Sequence, residues 1–325
     1  MKKNYKLGFS LIEISVVVLI IGVLIAAITT GTDLVKKSKV ASARNLSSNS
    51  AIYGMSDLVL WLESSLPTSF PAEGEGESVK LWSNNSPFYN IGSAIADGDA
   101  NADVDANAPV YKKYAINHTP SVRFFCDVIN NLDVCKRYLN VHSISSLLEE
   151  TDLTIFILEN RDAGHGALER RIISTSNGAD SISGQGLNIY YGTDDKLTVS
   201  NSDGNSVSST DVTPGPSLHY LTLFNDDDFM VNGNTILRKG FNYYHNKRLP
   251  ESGSMPSVTT TIESGGDVRF ATNSMGNIIR IGDSVKSYIG NLSEIIIFNR
   301  KLRQKEMIDI FNYFEAKYNI VLSDS

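Results

Sequence analysis

The segment that most constrains this chain is FSLIEISVVVLIIGVLIAAI, residues 9–28, some twenty residues with a single charge at Glu13. At 1.5 Å per residue a helix of this length just spans the hydrocarbon of a bilayer. Lys2, Lys3 and Lys6 precede it, and Lys36, Lys37, Lys39 and Arg44 follow it. Positive charge directly before a span favours an N-terminus left in the cytoplasm. A secretory signal would have a shorter apolar core followed by a small-residue cleavage site. Here the apolar core is long and the processing-like residue, Gly8, lies ahead of it.

GFSLIE with its short basic leader resembles the type III signal of type IV prepilins and pseudopilins. The resemblance covers residues 1–50. It implies cleavage between Gly8 and Phe9 by a prepilin peptidase, which then methylates the new amino terminus on Phe9. It also gives Glu13 a purpose. A carboxylate in hydrocarbon is expensive and normally has a partner, and in the family that partner is the amino group of the neighbouring subunit's first residue. Glu13 and Phe9 are therefore the expected assembly residues. Many pilins carry proline at the position occupied here by Thr30, beside Gly31 and downstream of Gly22. Glycine loosens a helix less than proline does, so pseudopilins of type II secretion remain an alternative. After residue 28 the pattern becomes amphipathic, with Leu34, Val35, Val40, Ala43 and Leu46 among basic residues whose plain reading is a solvated face. The helix is expected to end near SSNS at 47–50.

From Leu58 the texture changes to short β-rich runs broken by Gly, Asn, Asp and Ser: LVLWLES, SVKLWS, SVRFF, LTIFILEN, RRIISTS, GLNIYYGT, KLTVS, HYLTLFN, DFMVNG, DVRFAT, IIRIGD and SEIIIFN. This predicts an all-β sandwich. Near the end Met307, Ile310, Phe311, Phe314 and Tyr318 form one stripe of an amphipathic helix packed on it. LVLWLESS, DLTIFIL, FMVNG and IGNLSEIIIFNRKLRQKEMIDIFNYFEAKYNI look like the laminin-G-like branch of the concanavalin A-like lectin/glucanase superfamily. Gly290, Glu294, Asn299, Arg300, Leu302 and Glu306 match its closing pattern, while Arg303 stands where Ser or Thr would cap the helix. The resemblance implies a mainly β fold, a two-sheet jelly roll over 55–325. It follows a leader (1–8) and a transmembrane and assembly helix (9–50).

Candidate sites in the head are fewer. DGDANADVDAN places Asp97, Asp99, Asn101, Asp103, Asp105 and Asn107 at alternate positions, which suits a hard cation such as calcium. An EF-hand loop would need Gly and Glu where Ala102 and Ala108 stand, and a solvated loop is the other reading. Cys126 and Cys135 frame eight residues. On an exported domain they are expected to form a disulfide, worth about 2.5–3 kcal/mol by chain entropy; two free thiols are the alternative. Without clustered histidines they do not suggest zinc. Tyr190, Tyr191, Tyr243 and Tyr244 are candidates for exposed stacking on a ligand, whereas Trp61 and Trp82 read as core anchors.

Enzyme motifs are missing. No Glu-x-Asp-x-x-Glu run of the superfamily's glycosidases occurs. His118, His142, His165, His219 and His245 show no triad spacing. The net charge of −7 becomes −10 once Lys2, Lys3 and Lys6 leave with the leader, so the chain as a whole has no general electrostatic attraction to nucleic acid or to anionic lipid. The expectation is a non-enzymatic type IV pilin-like subunit, minor or tip because its head is large, displaying a lectin-like sandwich for adhesion or glycan binding. A membrane-tethered glycan hydrolase is the alternative from another class. Expected partners are the prepilin peptidase, other pilin or pseudopilin subunits, the inner membrane and a surface glycan, with the head periplasmic and then carried on a pilus.

Overall fold

The computed structural model describes residues 11–71, 74–96, 108–129, 132–134, 137–148, 152–162, 169–176, 188–200, 206–208, 214–231, 234–248, 278–283 and 286–324. Helix α1 (Leu11–Ser48) runs unbroken through Gly22, Thr30 and Gly31. It stops where Ser50 turns the chain, its side chain accepting a hydrogen bond from the Ile52 amide at 3.1 Å.

The head is the sandwich expected from the alternating runs. One sheet holds seven strands: β1 (Leu58–Glu63), β4 (Val110–Ile116), β5 (Thr119–Phe124), β9 (Leu153–Arg161), β14 (Pro216–Val231), β15 (Asn234–His245) and β18 (Gly290–Phe298). Their order is β15-β14-β9-β18-β5-β4, with β1 also pairing along β18. The other sheet holds β2 (Leu81–Trp82), β3 (Ala94–Ile95), β8 (Tyr138–Val141), β10 (Arg170–Ser176), β11 (Asn188–Tyr191), β12 (Leu197–Ser200), β13 (Ser206–Ser208) and β17 (Ile278–Gly282). There the order is β13-β12-β11-β10-β17-β8-β3-β2. A hairpin of β6 (Asp127–Ile129) and β7 (Leu132–Val134) and a parallel pair of β16 (Lys247–Arg248) and β19 (Ser323–Asp324) complete the described strands. SVKLWS yields only the two residues of β2, and DVRFAT lies outside the described residues.

Strand alternation sorts the core into two layers. Ile155, Ile157, Ile295 and Ile297 face the interior between the sheets, with Trp82 among them. Phe156, Leu158, Ile296, Phe298 and Trp61 point to the opposite face. That outer face is covered by α2 (Gln304–Tyr318), whose Met307, Ile310, Phe311, Phe314 and Tyr318 are all buried, as the stripe predicts. Each such side chain removed from water is worth about 1.5–3 kcal/mol. The helix start lacks a preferred cap. Glu306 compensates by accepting from the Arg303 amide at 2.9 Å and bidentately from Arg300 at 2.8 and 3.0 Å. The Arg-x-x-x-x-x-Glu spacing of the closing pattern is thus a helix anchor.

A register irregularity in β18 between Leu292 and Glu294 turns Glu294 to the outer face, opposite Glu63 of β1. Like charges facing each other across two strands repel, and both are fully buried. Lys317 of α2, also at 0% exposure, reaches between them: its ammonium bonds to Glu63 and lies 3.0 Å from Glu294. Hydrogen bonds supply the rest. Glu294 accepts from Trp61 (2.6 Å), Tyr313 (2.9 and 3.0 Å) and Tyr318 (2.8 Å). Glu63 accepts from the Ser65 and Leu66 amides at 2.8 and 2.7 Å. Burial pushes the Glu294 carboxyl up; the Lys317 charge pulls it back, and Glu63 pushes it further up. Removing the one cation from such a buried cluster costs about 3–5 kcal/mol. Lys317→Met should therefore lower the unfolding free energy of the detergent-solubilised chain by about that much, read from tryptophan emission during denaturant unfolding. Lys305→Met, at an exposed position of the same helix, should shift it by less than about 0.5 kcal/mol.

Candidate functional site: the apolar helix and its seat on the sandwich

Helix α1 is divided into two parts by its surroundings. From Leu11 to Lys39 almost every residue is exposed, including Leu11 at 87%, Leu19 at 66% and Ile28 at 64%. Among the described residues this is the one helix long and apolar enough to cross a membrane. Its few polar groups are satisfied locally. Thr29 bonds back to the Ile25 carbonyl at 3.0 Å, Thr30 to Ala26 at 2.9 Å and Thr32 to Thr29 at 2.9 Å. Such back-bonding lets hydroxyls sit in hydrocarbon without exposing donors. The structure describes Glu13 in the first turn of α1; Gly8 and Phe9 lie outside the described residues.

The last three turns are seated on the head. Val40, Ala43 and Ser47, spaced three and four apart, are buried against β5 and α2. Ala43 is small enough for close approach. Ser47 Oγ lies 3.0 Å from the Tyr313 hydroxyl, so the helix is joined to the Glu294 cluster itself. Arg44 Nε donates to the Ser65 carbonyl at 2.8 Å, beside the residues that hold Glu63. Arg44 is thus a tether, a departure from the solvated face expected of the basic residues, while Lys37 and Lys39 are exposed as expected.

The stacking tyrosines need correction. Tyr191, Tyr243 and Tyr244 are buried, at 0%, 1% and 2% exposure, and offer no platform. Tyr244 packs in the outer layer under α2, and of the four only Tyr190 is half-buried rather than buried. Tyr191 points into a sealed polar cluster between the sheets. Its hydroxyl donates to Glu159 Oε1 at 2.7 Å, Tyr288 bonds the other oxygen, and His219 Nε2 lies 3.1 Å from Oε1. His219 Nδ1 is 2.8 Å from the Tyr243 hydroxyl and stacks on His245 with ring centres 5.1 Å apart. The tyrosines thus satisfy a carboxylate that would be costly to bury alone. Alternation within NIYY marks one tyrosine as inward, but nothing in the sequence pairs it with Glu159. Trp61 and Trp82 are fully buried anchors, as expected.

The calcium loop, Asp97, Asp99, Asn101, Asp103, Asp105 and Asn107, lies outside the described residues. Among the described residues no group of three or more His, Cys, Asp or Glu side chains is arranged to hold a metal.

Residues 3–29 match the prokaryotic N-terminal methylation motif. The chain therefore couples a prepilin-type methylation segment and membrane-anchoring helix to a β-sandwich head. A comparison with curated proteins finds no match. Among solved structures, similar folds include a Trypanosoma rangeli sialidase, at 10% identity and a TM-score of 0.45 over 79% of this chain and 33% of that one. They also include the binding domain of botulinum neurotoxin DC in complex with rat synaptotagmin II, at 10% identity and 0.43 over 79% and 51%. A third is the Ruminococcus gnavus IT-sialidase carbohydrate-binding module CBM40 bound to α2,3-sialyllactose, at 11% identity and 0.37 over 52% and 90%. The chain thus spans about a third of the sialidase's length.

Burial, with His219 beside it, pushes the His245 imidazole from 6.5 down to about 3. The fold holds it neutral, whereas the unfolded chain takes up a proton near 6.5. Its stabilising contribution is complete above that pH and is lost as pH falls toward 3. Glu306 is held down to about 2, first by the Arg300 hydrogen bonds, so its contribution is present above 4.5 and fades only below that. Between pH 6.5 and 4.5 the unfolding midpoint should therefore decline through His245. His245→Phe should flatten the decline in that interval and leave the steeper loss below pH 4.5.

Proposed function

We propose that this chain is a type IV pilin-like subunit of minor or tip type, assembled through α1 and displaying the sandwich as a non-enzymatic ligand-binding or spacer head. The methylation motif, running into a continuous apolar helix that is bonded at its far end to a folded head, carries this reading. A helix exposed at every residue from Leu11 to Val35 needs either lipid or other helices around it, and a pilin-like subunit passes from one to the other. Glu13 then pairs with the methylated amino terminus of Phe9 on the next subunit, a strong contact in low dielectric that sets axial register. The anchored orientation leaves the N-terminus cytoplasmic and the head periplasmic before transfer to the fibre.

The sealed state of both carboxylate clusters supports a head without hydrolytic chemistry, since neither Glu159 nor the Glu63–Glu294 pair meets solvent. Tyr190 is the remaining candidate for stacking on a glycan. The helix is unbroken through Thr30, where many pilins carry proline, and this favours keeping a type II secretion pseudopilin as the second reading. The presence of the chain in sheared surface fibres, against its confinement to the secretion apparatus, separates the two.

Export also bears on the cysteines. No free thiol occurs among the described residues. Alkylation without reductant should leave the sulfurs of Cys126 and Cys135 unlabelled; two labelled thiols in exported protein would refute the expected disulfide.

In a host with an active prepilin peptidase, intact mass should show loss of residues 1–8 and gain of one methyl group. Glu13→Ala should leave processing and insertion unchanged, because removing a charge makes the span more apolar. It should lower the fibre-to-membrane ratio of this chain. A full-length mass, or an unchanged ratio, would overturn the assembly role.

A further inference from the structure

We infer that the junction of helix and head is a docking surface for anionic phospholipid headgroups, which holds the unassembled subunit against the membrane. The inference rests on the membrane-anchored reading of α1 but not on which side the head occupies. The uncharged stretch Ile14–Thr32 is about 28 Å long as a helix, close to the thickness of bilayer hydrocarbon. Lys36, Lys37 and Lys39 then begin roughly 6 Å further along the axis, at headgroup depth.

The fold adds a second set of cations at this level. Lys36 lies 5.8 Å from the centre of the Tyr114 ring, and Lys113 lies at the same distance from that ring. Tyr114 belongs to β4, so this contact brings Lys112, Lys113 and a half-buried tyrosine beside the helix where it leaves the bilayer. Lysines around a tyrosine are the composition of a membrane interface. Among the described residues the nearby acids are Asp33 on α1 and Glu75, which pairs with Lys112 at 3.1 Å and accepts the Lys113 amide at 2.7 Å. Five lysines thus stand against two carboxylates on a chain whose net charge is −7. That local inversion of sign is complementary to a phosphate-bearing surface and repels nothing in a neutral one. Lysines at 36–39 also weaken the usual charge asymmetry across a span, so orientation gives them no use.

Each basic residue near an anionic surface contributes about fivefold to its partition. Removing two, one of them already paired, should lower the docked-to-undocked ratio on the order of tenfold. The full chain carrying Tyr114→Trp as reporter is placed in lipid nanodiscs containing headgroup-nitroxide lipid, with either phosphatidylcholine alone or phosphatidylcholine plus phosphatidylglycerol. The two native tryptophans are fully buried and give a constant background. Quenching should be greater with phosphatidylglycerol and fall with added salt. Adding Lys112→Gln with Lys113→Gln should reduce it to the extent set by that fall in the docked-to-undocked ratio. Lys301→Gln with Lys305→Gln, exposed just before and within the first turn of α2, should not. Equal quenching in both disc types overturns the inference. Quenching that requires two chains in one disc assigns the surface to a subunit contact and also overturns it. Protease digestion of Leu11–Thr32 in the discs would overturn the anchor reading itself, and the docking surface with it.

Discussion

The ammonium of Lys317, buried between two opposed glutamates, is the interaction on which the rest of the architecture depends. Strand β18 sits at the middle of its sheet, and β1 pairs along the half of it that bears Glu294. Without the lysine that pairing would set two anions against each other in low dielectric. With it, the strand pair, the covering helix and the end of α1 share one hydrogen-bonded group through Tyr313 and Ser47. A buried ion cluster of this kind is weak as a source of net stability and strong as a specifier, since few alternative packings satisfy every member.

The chain separates two tasks by environment. One helix carries an apolar surface that none of the described residues of the head covers, and the head carries a core of its own in two layers. Between them lie Val40, Ala43, Leu46 and Ser47, one guanidinium on a carbonyl, and Lys36 beside the Tyr114 ring. The anchor and the head can therefore answer to different solvents, hydrocarbon or packed helices for one and water for the other.

Much of this was legible in the sequence because it rests on periodicity. The unbroken apolar run, the short β-rich runs between turn residues and the 307–318 stripe are local features, and they appear as a long helix, the described strands and a buried helix face. The closing Asn-Arg-x-Leu…Glu pattern was legible as a fold signature, although its function as a helix anchor through Arg300 and Glu306 needed coordinates. What the sequence concealed depends on long-range pairing. Lys317 looks like a solvent-facing break in an aromatic stripe, and only the turn of Glu294 to the outer face explains its burial. Tyr191 and Tyr243 looked available for stacking because nothing nearby in the chain reveals that Glu159 and His219 need their hydroxyls. Aromatic residues in strands carry no mark of which face they take when both faces are covered.

The seating of α1 has a geometric consequence. A helix of 38 residues is a rod about 57 Å long, and its last turns are clamped on one stripe. The head cannot swivel about the rod: its azimuth is set by the direction in which Val40, Ala43 and Ser47 face. One residue added between the span and this stripe would rotate the head by about 100° while hardly changing its height. In any assembly of parallel rods, the number of residues between Glu13 and Ala43 is therefore an angular coordinate, and it decides which flank of the sandwich meets the next subunit and which looks outward.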